Sequence, residues 1–281
     1  MMRLMHDDAC ALIRGRRLDF PDLVDRRLLS PEHLATLRAQ LQTGAPFPHL
    51  VQEGWFNPDL LELVAEEFDT EQVTWRRVAG RHEDTLRSCP EPELGPASQL
   101  YFSLVNAGWF VRMLDVITGV DDLVPDVRLY GGGLHETRPG GQFGIHLDFD
   151  RHLRTGLRNE LVLITYLNKD WQPEWHGALE LWDGHTGACV KRVEPVFGRT
   201  LLMRRLPTAY HGHPDPLSAP EGVSRRSIAS YYYSNPHAVT DRDARRTSRF
   251  IFETGSDKLR RWAKNVTPPL IWDAVAGRIR R

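Results

Sequence analysis

Cysteine is scarce. The 281 residues hold three, Cys10, Cys89 and Cys189, odd in number and far apart. That argues against a disulfide framework and for a reducing compartment, and the spacing lacks any zinc-ribbon pattern. Excess charge is also missing: 36 Lys and Arg face 37 Asp and Glu, a formal net charge of -1. So balanced a chain lacks the basic footprint of a nucleic-acid binder and the polybasic stretch of a membrane anchor. The pairs Arg76-Arg77, Arg245-Arg246 and Arg260-Arg261 are scattered among acids and read as solvated helix faces. No apolar run is long enough to span a bilayer. The opening MMRLMHDDACALIRG has acids where a signal peptide needs an apolar stretch. The expectation is a soluble cytoplasmic protein, long enough for one large core with helical additions.

The first 45 residues read as peripheral and mostly helical. Ser30-Pro31 supplies an N-cap and a first-turn proline for a helix to about Gln42. The prolines of 45–51 restrict that stretch to an edge strand. Asn57-Pro58 opens a second helix through about Phe68, with Leu60, Leu61, Leu63, Val64 and Phe68 on its apolar face. Periodicity fades over 69–97, where Trp75, Arg76, Arg77, Arg81, His82 and Arg87 fall. A connection of that length reads either as a substrate-covering loop or as a surface excursion with a short strand near 73–78. Residues 96–118 predict one long amphipathic helix stopped by Gly119. After Pro125 the pattern changes to eight short strands, at about 127–134, 142–149, 160–167, 177–182, 188–193, 199–203, 207–213 and 225–234. That spacing predicts a sandwich or jelly roll rather than βαβ units. The tail from about Asp241 reads as helical, broken at Pro268-Pro269.

Within GGGLHETRPGGQFGIHLDFD (131–150), His146 and Asp148 sit two apart on a segment that alternates like a strand. Strand residues i and i+2 share a face, so an imidazole and a carboxylate point into one space. Together they are two-thirds of a 2-His-1-carboxylate set, which leaves open positions on non-haem Fe(II). The distal histidine has two candidates, His211 and His213, which alternation places on one face. His213 precedes Pro214 and is conformationally restricted, so His211 is preferred. In the last strand one face carries Arg225, Ser227, Ala229 and Tyr231, the other Arg226, Ile228, Ser230 and Tyr232. An arginine at this strand's start suits a carboxylate. Asp150 reads as a loop carboxylate or a group behind the ligands, and His135, His152, His176 and His185 as structural or solvated. His135 and Glu136 are candidate pocket-lining residues.

In order, these pieces resemble the Fe(II)/2-oxoglutarate-dependent oxygenases, and within them the prolyl-4-hydroxylase-like branch. The matching motifs are His146-Leu147-Asp148, Tyr166-Leu167-Asn168-Lys169-Asp170-Trp171, Gly177-Ala178-Leu179-Glu180-Leu181-Trp182, Val193-Glu194-Pro195, Tyr210-His211-Gly212 and Arg225-Arg226-Ser227-Ile228. They cover about Gly131 to Ser234. The resemblance implies a mainly β chain with a double-stranded β-helix (jelly-roll) core and flanking helices. It also implies Fe(II), 2-oxoglutarate and O2, with ascorbate as a possible reductant. His146, Asp148 and His211 would bind the metal. Arg225 would pair with the distal carboxylate of 2-oxoglutarate, and Tyr166 would donate its hydroxyl to the same group. The family often has Gly-Gly where this chain has Gly177-Ala178. The stretch between His211 and Arg225 is longer than usual, which leaves Arg225 and Arg226 both open. Related halogenases carry a small residue at the Asp148 position, so the carboxylate here favours hydroxylation.

The expected organisation is one integrated catalytic domain. It comprises an N-terminal helical support and substrate-loop region (1–125), the β-helix core (126–235) and a C-terminal helical extension (236–281). The expected function is hydroxylation of an unactivated C–H bond of an amino acid, an amino-acid-derived metabolite or a peptide side chain, with neither nucleic acid nor membrane as partner. The arginines of 76–87 point to an anionic group on that substrate. Two other readings use the same fold: a cupin-like metal hydrolase or isomerase, and a non-catalytic metal-binding sensor.

Overall fold

The computed structural model describes residues 9–70, 73–88 and 93–235. Cys89 and the expected C-terminal extension lie outside the described residues.

The N-terminal stretch differs from its mostly helical expectation. It opens with a hairpin of β1 (Cys10–Ile13) and β2 (Arg16–Asp19). Arg14 and Gly15 both take positive φ, 49° and 78°, the geometry whose twist matches paired strands. Then α1 (Pro31–Thr43) starts where the caps predict, with Ser30 Oγ accepting from the His33 N–H at 3.3 Å. The strand β3 (His49–Glu53) is an edge strand, and α2 (Pro58–Glu67) starts on Asn57, whose Oδ1 accepts from the Asp59 N–H at 2.8 Å.

Residues 75–88 form a second hairpin, β4 (Trp75–Ala79) and β5 (Asp84–Ser88); β4 lies where the surface-excursion alternative expects a short strand, and β5 adds a second. The single helix expected over 96–118 is two, α3 (Pro96–Val105) and α4 (Gly108–Thr118), bent by 50°. Asn106 and Gly108 are weak helix formers, and Ala107 between them is extended. The bend lets Tyr101, Phe102 and Val105 pack on one patch of the core and Phe110, Leu114 and Ile117 on the next. Gly119 ends α4 in the left-handed conformation at φ 68°. Among the described residues no single helix is long and apolar enough to cross a membrane.

The β region follows as β6 (Val124–Pro125), β7 (Gly133–Thr137), β8 (Phe143–His146), β9 (Arg158–Tyr166), β10 (Leu179–Asp183), β11 (Ala188–Val193), β12 (Arg199–Arg204), β13 (Ala209–His213) and β14 (Arg225–Ser234). The strand expected over 127–134 is replaced by the short β6, which precedes it, and by β7, which begins six residues later and ends three later. Two antiparallel sheets result. The larger, eight-stranded, runs β3-β12-β9-β14-β7-β5-β4 with β6 beside β14; the smaller runs β11-β10-β13-β8. This is the expected jelly roll.

Period-two alternation in β9 sorts its side chains between two cores. Leu161 and Leu163 join the helix-backed core with Leu60, Leu61, Val64, Tyr101 and Phe110. Val162 and Tyr166 join the core between the sheets with Leu181, Leu201, Met203 and Tyr231. The helices therefore buttress the outer face of the large sheet and leave its inner face to the site.

One buried acid ties this support together. Glu67 is fully buried and accepts the Ala97 and Ser98 N–H groups at 2.8 and 2.9 Å, capping α3 from another helix. The residue at that N-cap, Gly95, has no side chain to do so, and a Cβ there would lie 2.2 Å from the Glu67 carboxyl carbon. Glu67→Ala is expected to lower stability by about 2–3 kcal/mol, two charge-assisted bonds lost at a buried helix start. A urea titration would show it as a lower midpoint at unchanged slope.

Candidate active site

Antiparallel pairing of β8 with β13 sets His146 directly opposite His211, although 65 positions separate them in the chain. Strand β8 ends at His146, three residues short of the expected strand, so Asp148 lies beyond the ladder. It still turns to the same space: its Oδ1 is 3.7 Å from His146 Nε2 and its Oδ2 3.6 Å from His211 Nε2. One donor atom from each of the three lies within 4.8 Å of the others.

The surrounding bonds orient every donor. His146 Nδ1 bonds to the Gly144 carbonyl at 2.8 Å and His211 Nδ1 to the Ala209 carbonyl at 2.9 Å. A carbonyl only accepts, so each Nδ1 carries the proton and each Nε2 presents its lone pair to the cluster. The Tyr231 hydroxyl donates to Asp148 Oδ1 at 3.1 Å. Burial pushes the Asp148 carboxyl up, but the neighbouring imidazoles and the Tyr231 bond outweigh it and hold it at about 2. Burial pushes His211 down, towards the neutral ring a metal needs. Two neutral imidazoles and one carboxylate, held with open space on one side, fit a non-haem Fe(II) ion. His213 is also buried and lines the same cleft, but it lies outside the cluster, its Nε2 3.4 Å from Thr137 Oγ1. Asp150 is exposed and paired with Arg205, and His152 is buried with its Nδ1 accepting from the Arg154 N–H; neither joins the cluster.

The cluster opens on a cleft between the sheets whose empty space, mouth included, is about 590 Å³. Its wall on β14 is the face expected from alternation: Arg225, Ser227, Ala229 and Tyr231. Arg226 points the opposite way and pairs with Asp69 at 2.6 and 3.0 Å. Arg225 is buried, donates from Nε to the Gly177 carbonyl at 2.7 Å and approaches the Tyr166 hydroxyl at 3.4 Å. Tyr166 stands behind Arg225 rather than on the cleft wall, and burial raises its hydroxyl above the ordinary value.

The Tyr-Leu-Asn-x-x-Trp motif holds this arrangement. Asn168 accepts the Arg226 N–H at 2.7 Å and donates to the Arg226 carbonyl at 3.1 Å, pinning the start of β14. Gly177 has φ 78°, and a Cβ there would sit 2.8 Å from Leu217 Cδ1 and 3.2 Å from Arg225 Cδ. Gly177→Ala is expected to weaken 2-oxoglutarate binding by roughly tenfold and to lower stability by about 1–3 kcal/mol, since the strained backbone carries the Arg225 acceptor. Calorimetric titration and thermal melts would check the two effects separately.

His135 and Glu136 line the cleft as expected, joined by Thr85 and Arg87 from β5. Glu136 is largely engaged behind it, with Ser224 and Arg226. Burial pushes His135 down to about 3. Alternation places Tyr231 on the Arg225 face, but its bond to Asp148 is visible only in the structure. So is the stacking of the Phe143 ring on His146, with centroids 3.9 Å apart.

Residues 132–233 match the family model described as the 2OG-Fe(II) oxygenase superfamily. No curated protein matches the sequence. Among solved structures, a Pseudomonas putida prolyl-4-hydroxylase is 21% identical with TM-score 0.53, covering 72% of this chain and 99% of its own. A Trichoplax adhaerens prolyl hydroxylase, in complex with a hypoxia-inducible-factor oxygen degradation domain peptide fragment, is 15% identical with TM-score 0.51, covering 72% and 90%. A Burkholderia pseudomallei oxidoreductase of the 2OG-Fe(II) oxygenase family is 16% identical with TM-score 0.50, covering 71% and 90%. At these identities the likenesses establish the fold.

Proposed function

We infer that this chain, whose core is that of an Fe(II)/2-oxoglutarate-dependent oxygenase, hydroxylates an unactivated C–H bond of an amino acid, an amino-acid-derived metabolite or a peptide side chain. The observation that carries the reading is the convergence of His146 Nε2, His211 Nε2 and the Asp148 carboxylate beside a buried arginine in one cleft. In this reading His146, Asp148 and His211 hold Fe(II), and Arg225 holds the distal carboxylate of 2-oxoglutarate. Bound together, metal and co-substrate couple the decarboxylation of 2-oxoglutarate by O2 to C–H oxidation: one oxygen atom ends in succinate, the other in the alcohol, and CO2 leaves.

The protein's own residues orient and shield. Gly144 and Ala209 carbonyls fix the two histidine tautomers, and Tyr231 fixes the carboxylate. Tyr166 stands beside the Arg225 guanidinium and the Gly177 carbonyl accepts from it, which keeps the cation aimed into the cleft. Ile164, Ala229 and Leu179 supply an apolar wall that excludes water from the reacting centre. A carboxylate ligand at Asp148 favours transfer of oxygen over transfer of halide.

The test is anaerobic addition of Fe(II) and then 2-oxoglutarate, followed by O2. A visible charge-transfer band that forms with both and decays on aeration with succinate release supports the reading. Bound metal without a band, and no succinate, overturns it in favour of metal-dependent hydrolysis or isomerisation on this fold.

A further inference from the structure

The inner face of the large sheet carries a second basic position that the co-substrate does not use. In register across four strands, Tyr166 on β9 pairs with Ser227 on β14, Ser227 with His135 on β7, and His135 with Arg87 on β5. Ser227, His135 and Arg87 all line the cleft that holds the His146–Asp148–His211 cluster. Arg225 turns towards β9 and β10, where Tyr166 and Gly177 hold it. Arg87 turns towards β8: its guanidinium lies over the Phe143 ring at 5.2 Å, and Phe143 stacks on His146. Strands β14 and β5 are two spacings apart, about 10 Å. A five-carbon diacid spans only about 5 Å between its carboxyl carbons. Held towards opposite flanks of the cleft, the two guanidiniums are placed to meet different carboxylates.

Arg87 is also left incomplete by the protein. Glu83 pairs with one end of the guanidinium and fixes its direction, accepting as well from Thr85 Oγ1 at 2.7 Å. The Arg87 Nε is closed to solvent and has no partner among the described residues. The same is true of His135 Nε2 on the neighbouring strand. In the neutral ring with the proton on the other nitrogen, Nε2 is a free acceptor. A fixed cation next to an unused acceptor matches a ligand that carries an anion beside an N–H or O–H group.

We propose that Arg87 and His135 form the prime-substrate subsite, and that the substrate is a small molecule with a free carboxylate for Arg87 and an adjacent N–H for His135, as in an α-amino acid. This rests on the oxygenase reading above. It narrows that reading from amino acids, derivatives and peptide side chains to ligands with a free carboxylate near the oxidised carbon. It also makes the hairpin β4–β5 the wall that selects them.

The experiment uses the full chain in two arms. In the first, 2-oxoglutarate is titrated into the Mn(II)-loaded wild type, Arg87→Gln and Arg225→Met. In the second, 2-oxoglutarate consumption by the Fe(II)-loaded protein is followed with the L-amino acids and with their C-terminal amides. The expected result is acceleration by one or more free acids, a response to the matching amides at least about 30-fold weaker, and loss of the acid response in Arg87→Gln. Arg87→Lys recovers part of it, and His135→Phe raises the KM for the acid by about tenfold. Co-substrate affinity falls in Arg225→Met and stays within about threefold in Arg87→Gln. Equal response to acids and amides, or no response to any acid, overturns the proposal. So does loss of 2-oxoglutarate binding in Arg87→Gln to the extent seen in Arg225→Met, because Arg87 would then belong to the co-substrate. Failure of the wild type to bind 2-oxoglutarate removes the oxygenase reading, and the subsite with it.

Discussion

Asp148→Ala is expected to lower Fe(II) affinity by more than about 100-fold and to abolish 2-oxoglutarate turnover. Losing a group that merely orients a ligand costs on the order of 10- to 100-fold, and losing the charged ligand itself exceeds that range. Asp148 is the one anion in the cluster. Without it two neutral imidazoles face a dication with no charge to offset it. Calorimetry with Fe(II) under nitrogen would measure the affinity, and the visible band would report the chelate. The fold should survive, because Asp148 lies beyond the end of β8 and makes no ladder bond. Tyr231→Phe provides the graded comparison. It removes only the 3.1 Å bond to Asp148 Oδ1 and is expected to weaken metal affinity by about tenfold. Full metal affinity in Asp148→Ala would take the carboxylate out of the metal site.

Arg225→Met is expected to raise the Kd for 2-oxoglutarate by about 100- to 1,000-fold, a loss of roughly 3–4 kcal/mol. The guanidinium is buried, so a carboxylate that meets it is desolvated and the pair is worth far more than a surface one. Methionine keeps much of the volume and removes the charge. Arg225→Lys is expected to recover part of the affinity, since the charge returns without the planar fork. Arg226→Met separates the two arginines that the sequence left open. Its side chain pairs with Asp69 on the outer face, so 2-oxoglutarate affinity should change by less than about threefold while stability drops modestly. The reverse ranking, with Arg226→Met the weaker binder, would reassign the co-substrate site.

Much of the fold was legible because local rules and tertiary demands agree in this chain. Ser30 and Asn57 cap the helices they predict. In β14 the alternation of Arg225, Ser227, Ala229 and Tyr231 against Ile228 and Tyr232 separates cleft from helix-backed core, as period two requires. The failures have local causes. The Arg14-Gly15 turn was too short a signal to mark a hairpin among polar residues. The helix pattern of 96–118 continues through Asn106 and Gly108 because both halves bury apolar side chains, so periodicity concealed the 50° bend. The stretch 75–88 reads as irregular because β4 is an edge strand with exposed residues on both faces, so no period-two pattern marks it.

The amino-acid sequence by itself determined the chemistry available: a His-x-Asp pair on a strand, two distal histidines, two adjacent arginines and the short-strand spacing of a jelly roll. Those are properties of residue type and local period, and they survive without coordinates. Only the tertiary structure shows that His211 rather than His213 meets His146 and Asp148, that Arg225 rather than Arg226 faces the cleft, and that Arg87 among the arginines of 76–87 lines it. Each of those choices depends on strand register across the sheet, where one step of slippage exchanges the inner face for the outer. Register is set by packing between segments far apart in sequence, and no local pattern carries it.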